Sequence, residues 1–163
     1  MNEVMDVNAI MNMEADHYDA GLYQFSVKKA EIIETRTGRT GVNLQLKIED
    51  TEVLKGDRVP RGELMFKSFY FPTMTDKPTS SAFMARLVQE FLLAVDIQSH
   101  PDYSAVSAGG IDTQKFWDLI VGSTVNGKVT WTEKREKVTD DNGNTSYVGT
   151  GDNEQDIKKF KKA

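Results

Sequence analysis

Val42-Asn43-Leu44-Gln45-Leu46-Lys47-Ile48-Glu49 alternates apolar and polar side chains without a break. Successive side chains of a strand point to opposite faces, so this period of two predicts a half-buried strand. Val42, Leu44, Leu46 and Ile48 form its inner row, and Asn43, Gln45, Lys47 and Glu49 its outer row. Upstream, Tyr23, Phe25 and Val27 alternate with Gln24, Ser26 and Lys28, after which the apolar phase moves to Ala30 and Ile32. A change of phase inside one extended run predicts a β-bulge that bends the strand. Between the two strands, Arg36-Thr37-Gly38-Arg39-Thr40-Gly41 has the glycines that a turn needs.

Downstream, residues 49–62 are polar and charged and read as a long hairpin loop, followed by a third strand over 64–71 that stops at Pro72. Thr79, Ser80 or Ser81 can cap a helix in which Phe83, Leu87, Phe91 and Val95 recur at fourfold spacing. Residues 98–110 read as a connector, and Asp112 can cap a short helix bearing Phe116, Leu119 and Ile120. Two more strands, 124–137 and 146–150, flank the hairpin signal Asn142-Gly143. The expected fold is therefore mainly β with a helical insert: a five-stranded Greek-key, OB-fold-like barrel with its helix between strands three and four.

The chain has 163 residues, enough for one domain with an arm, and no cysteine. Disulfide scaffolds, Cys-zinc sites, iron–sulfur clusters and thiol nucleophiles are excluded. No apolar run approaches the roughly 18 residues of a membrane helix, and no basic leader precedes an apolar stretch, so neither a membrane span nor a signal peptide is expected. The net charge of −5 resides entirely in residues 1–21, which hold Glu3, Asp6, Glu14, Asp16 and Asp19 and no Lys or Arg. The expected organisation is an acidic, flexible arm over 1–20 and a charge-balanced domain over 21–163 that ends in a basic tail with four lysines.

Catalytic chemistry finds little support. His17 and His100 have no partner at metal-ligand spacing. Gly122 to Lys128 has the glycine and lysine spacing of a phosphate-binding loop, but Val129 stands where a hydroxyl must reach magnesium, and the run opens a strand rather than a helix. Asp140, Asn142 and Asn144 resemble the start of a calcium loop, yet Thr145 and Gly151 occupy the positions that need Gly and Glu. The expectation is a protein that is not an enzyme and uses no cofactor or metal.

The remaining signal lies on surfaces. Lys67 shares its strand face with Phe69 and Phe71, and a charged residue belongs outside, which would expose both rings beside a cation. Burial of those rings under the helix is the competing reading. Arg36 and Arg39 lie in the first turn, Asn43 and Lys47 on the polar face of the second strand, and Lys134, Arg135 and Lys137 near the last hairpin. Trp131 and Tyr147 could face each other across that hairpin, with core packing the default for Trp131. Rings for bases and cations for phosphates are what single-stranded nucleic acid requires.

Gly21-Leu22-Tyr23-Gln24-Phe25-Ser26-Val27, the Thr37-Gly38 turn before Val42-Asn43-Leu44-Gln45-Leu46, Leu119-Ile120-Val121-Gly122 running into Val125-Asn126-Gly127-Lys128-Val129, and the ending from Asn153 through Ile157 to Phe160 together resemble the single-stranded DNA-binding proteins of bacteriophages and prophages. The resemblance spans about residues 21 to 160. It implies an OB-like fold, sequence-independent binding of single-stranded DNA, and a role in DNA replication or recombination in the bacterial host cytoplasm, with replication or recombination proteins as partners and room for a homo-oligomer. Many members end in an acidic tail, whereas here the acidic peptide is N-terminal. If it competes for the DNA groove, deleting residues 1–20 tightens binding at low salt. The alternative is a protein-interaction or virion-structural module on the same barrel, without nucleic-acid binding.

Overall fold

A computed structural model describes residues 4, 6–11 and 18–163, with the side chains of residues 9, 10, 134 and 151–153 outside the description. Half of the expected arm over 1–20, His17 included, falls outside the described residues, as does the Lys134 side chain. Five strands, β1 (Gly21–Glu34), β2 (Thr40–Thr51), β3 (Leu64–Tyr70), β4 (Thr124–Thr139) and β5 (Thr145–Lys162), form one antiparallel sheet in the order β3-β2-β1-β4-β5. The first four make a Greek key, since β4 returns by a long connection to lie beside β1. A short helix α1 (Val7–Met11) precedes the sheet, and α2 (Pro78–Ala94), α3 (Tyr103–Ser107) and α4 (Gln114–Asp118) fill the connection between β3 and β4.

The alternation in β2 is realised as expected, with Val42, Leu44, Leu46 and Ile48 fully buried. The phase change in β1 is a bulge. Val27 pairs with Leu46 and Lys29 with Gln45, so the extra residue brings Tyr23, Phe25, Val27 and Ala30 all into the core. Pairing of β1 with β4 ends at Ser26 and Thr124. Beyond it, the Val27 N–H donates to the Ser123 carbonyl (2.9 Å) and the Gly122 N–H to the Val27 carbonyl (2.8 Å). The Gln114 amide then donates to the Ala30 carbonyl (2.6 Å) and accepts from the Ile32 N–H (3.0 Å). One side-chain amide of α4 thus stands in for the missing strand, because buried backbone groups need partners.

Strands β3 and β5 are the two edges, and among the described residues no backbone ladder joins them. Side chains bridge the seam instead. Lys67 Nζ lies 2.8 Å from Asp156 Oδ1, and the rings of Phe69, Phe91 and Phe160 meet at centroid distances of 4.9 to 6.0 Å. Helix α2 lies against both strands, burying Val88, Phe91 and Ala94, and Glu90 Oε1 accepts the Phe160 N–H at 3.0 Å. An edge covered by a helix is protected from pairing with another chain.

The expected basic tail is a correction: residues 156–162 are the last part of β5, and Ile157 and Phe160 are buried. A register shift opposite Gly127, with Lys159 at φ 54°, returns Phe160 to the inner face. Gly127 makes room for this, since a Cβ there would lie 2.7 Å from Ile157 Cγ2 and 3.1 Å from Phe160 Cε1. The period of two is broken by that bulge, which is why the lysine-rich run does not read as a strand.

Candidate nucleic-acid interface

On β3 the two faces are those the alternation gives, but inside and outside are exchanged. Phe69 is 4% exposed and Phe71 is also in the core, where it stacks on Trp117 at 5.8 Å. Neither ring is open to a base, which corrects their assignment as stacking residues. The register explains it: Met65, Lys67 and Phe69 pair with Leu46, Leu44 and Val42, the inner row of β2. Lys67 tolerates this position because β3 is an edge. Its ammonium reaches Asp156 across the seam and lies 5.4 Å from the Phe69 ring centroid. Inward-pointing charges are a recognised property of edge strands.

The outer face consequently carries Phe66, 61% exposed, and Tyr70. Phe66 pairs with Gln45, which pairs with Lys29 on β1. Ser68 Oγ donates to Asn43 Oδ1 at 3.1 Å between the two rings. Tyr70 sits over Gly41, where a Cβ would come within 2.9 Å of Tyr70 Cδ1. Four residues along a strand separate Phe66 and Tyr70 by about 13 Å. Lys47 Nζ is 3.2 Å from Glu49, and Lys29 Nζ is 3.5 Å from Glu31. The Ser26 hydroxyl, donating at 2.6 Å, and then Lys47 hold the Glu49 carboxyl below its usual range. Exposed ion pairs of this kind contribute little, so both lysines can exchange a carboxylate for a phosphate at small cost. Phe66, Tyr70 and Lys29 are the residues that sequence reasoning missed; the polar Ser68 in the row of Phe66 and Tyr70 is the signal that marks it as a solvent face.

Arg36 and Arg39, three positions apart in the first turn, have different fates. Arg36 is exposed. Arg39 is a clamp: its guanidinium meets both Asp76 carboxylate oxygens, at 2.6 and 3.0 Å, and donates to the Phe71 carbonyl at 3.0 Å. Its assignment as a phosphate contact is thereby corrected, since planar bidentate pairing commits the donors. The same bonds, with the Thr73 N–H at 2.7 Å, hold the Asp76 carboxyl well below the ordinary carboxylate range. An unfolded aspartate titrates at about 3.9, so the clamp's contribution is complete above that value and is lost as the pH falls toward the lower folded value. The melting-temperature gap between the wild type and Asp76→Asn is therefore expected to be constant at neutral pH and to close below about pH 4. A gap that persists unchanged in acid would show that the pair contributes nothing through its charge.

At the other end of β1 the last two strands leave the sheet. Pairing of β4 with β1 stops at Val129 and Gly21, yet β4 and β5 continue to Thr139 and Thr145. The described side chains from Arg135 to Gly149 are all exposed. Arg135 pairs with Gly149 and Lys137 with Tyr147, so Arg135, Lys137 and Tyr147 share one face of this ribbon. Tyr147 is 65% exposed beside Lys137. The opposite face carries Glu136, Val138, Ser146 and Val148. At the tip, Asp140 Oδ1 accepts from the Asn142 and Asn144 N–H groups, both at 2.9 Å, and Gly143 has φ 81°. That carboxylate serves its own turn, and among the described residues no group of three potential metal ligands occurs.

Trp131 does not face Tyr147. It pairs with Gln155, and its indole N–H donates to the Tyr18 carbonyl at 3.0 Å, an acceptor shared with Gln155 Nε2 at 3.0 Å. Trp131 therefore fixes the entry of the chain into the sheet, and the expected facing of Trp131 and Tyr147 is corrected. Tyr18 is held further by its hydroxyl, 2.7 Å from Glu63. Of the expected contact residues, Arg135, Lys137 and Tyr147 converge on the ribbon, Asn43 and Lys47 lie on the outer face, and Arg36 sits at the far end of β1. Lys67, Phe69, Phe71, Arg39 and Trp131 are structural.

Comparison with protein-family models and with curated protein sequences finds no match.

Proposed function

We propose that the protein binds single-stranded DNA without sequence preference and organises it during replication or recombination, by binding alone and without a catalytic step. The observation that carries this reading is the exposed ribbon face that Arg135 and Lys137 of β4 share with Tyr147 of β5. Bases stack on rings while cations neutralise phosphates, and every base has a stacking face, so the mode is indifferent to sequence. Phe66 and Tyr70 on the outer face, with Lys29, Lys47 and Arg36, extend the same chemistry along the sheet. The strand order supports an OB-type barrel whose β3–β5 seam is bridged by side chains and covered by α2. A bacteriophage setting in the host cytoplasm accords with the sequence resemblance.

Anisotropy of labelled oligonucleotides tests the reading directly. Single strands should bind more tightly than duplex, with log affinity falling against log salt by about 0.7 for each phosphate neutralised, or about 3.5 if Lys29, Arg36, Lys47, Arg135 and Lys137 each meet one. Salt-independent affinity, or equal affinity for duplex, would overturn it.

A further inference from the structure

We propose that the N-terminal segment of one copy docks into the seam between α2 and β5 of a second copy. Val4, Val7 and Met11 are 91%, 74% and 77% exposed. Their spacing places them on one side of a helix that α1 already forms in part. An apolar stripe left in water on a segment with five acidic residues and no basic one up to Gly21 calls for a basic, apolar receptor.

The seam has that character. A cleft of about 480 Å³ opens between α2 and β5, lined by Phe83, Leu87, Ile157 and Phe160, with Lys158 and Lys159 on its rim. Phe83 and Leu87 are exposed, although α2 turns its other side to the core. Asp156 is neutralised within the chain by Lys67, and Glu90, exposed, accepts the Phe160 N–H and keeps its charge. Lys158 and Lys159 outweigh that one carboxylate, so the rim is positive on balance. The chain's own stripe stays in water while its own cleft stands open, and the charges are complementary, so the occupant is the segment of another copy. Such a contact uses different surfaces on the two partners and is heterologous, which lets it propagate along a row of molecules. It does not depend on nucleic-acid binding.

Sedimentation velocity of the full chain without nucleic acid provides the test. Association should grow with protein concentration and weaken with salt. Val7→Ser/Met11→Ser in the segment, and separately Lys158→Glu/Lys159→Glu on the rim, should each weaken it by about tenfold or more. Mixing the two variants should restore a dimer, because one supplies an intact segment and the other an intact cleft. Phe83→Ser offers a second cleft variant, on an exposed helix position, should the lysine changes disturb β5, and circular dichroism confirms each fold. A chain that stays monomeric at every concentration, association unchanged by the segment or cleft variants, or a mixture that fails to associate would overturn the proposal.

Discussion

Arg135→Glu/Lys137→Glu is expected to lower affinity for single-stranded DNA by roughly 100-fold at low salt, because two phosphate contacts become repulsions. The salt slope should shrink at the same time by about 1.4, two phosphates' worth on a single strand. Both side chains stand on the exposed ribbon, where surface substitutions usually change stability by less than about 0.5 kcal/mol, so the melting temperature should stay within error. Tyr147→Ala separates the ring from the charge: it should cost ~1 to 3 kcal/mol of binding and leave the salt slope unchanged. Wild-type affinity in the double variant would remove the ribbon from the interface and with it the observation on which the functional reading rests.

Phe66 and Phe69 should behave as opposites although only three positions separate them. Phe69 touches Phe91 at 5.4 Å and Phe160 at 6.0 Å between ring centroids, so Phe69→Ala empties part of the core and should destabilise the fold by about 3 to 5 kcal/mol. Against a total stability of about 5 to 15 kcal/mol that is a large fraction. Affinity per folded molecule should be little changed. Phe66→Ala should leave the denaturant midpoint almost unmoved and cost ~1 to 3 kcal/mol of binding, through the lost stacking surface. Denaturant melts and anisotropy titrations on both variants check the pair. If Phe69→Ala lost affinity while keeping full stability, the inward assignment of its face would be wrong.

These two residues also mark how far the sequence could be read. The alternation in residues 64–71 separates Phe66 and Tyr70 from Phe69 and Phe71 correctly, because a strand has only two faces. Which face is inside depends on the partner's register, and the loop from Glu52 to Glu63, long and with an embedded 3-10 turn at Gly56–Arg58, has no turn type that fixes it. Lys67 then misleads, since its charge is neutralised by Asp156, a residue 89 positions away. The fates of Arg36 and Arg39 differ for the same reason. Only the fold brings Asp76 to one of them.

The resemblance to phage single-stranded DNA-binding proteins rests on diffuse strand and turn patterns. The proposed binding mode rests instead on the ribbon face. The convergence of Arg135, Lys137 and Tyr147 follows from the cross-strand register beyond the bulge at Glu133 and Arg135, which spacing along one chain cannot supply.

The features legible in the chain before folding are local: the half-buried strand at Val42 to Ile48, the bend in the first strand, the Asn142-Gly143 turn, the lack of cysteine and the acidic segment ahead of Gly21. Each follows from the conformational preference or charge of neighbouring residues. Folding is what makes the lysine-rich end a strand edge, ties Trp131 to Tyr18 and divides the cations between clamps and open surface. Those outcomes depend on pairings between residues far apart in the chain, where burial and a distant carboxylate outweigh what any side chain prefers on its own.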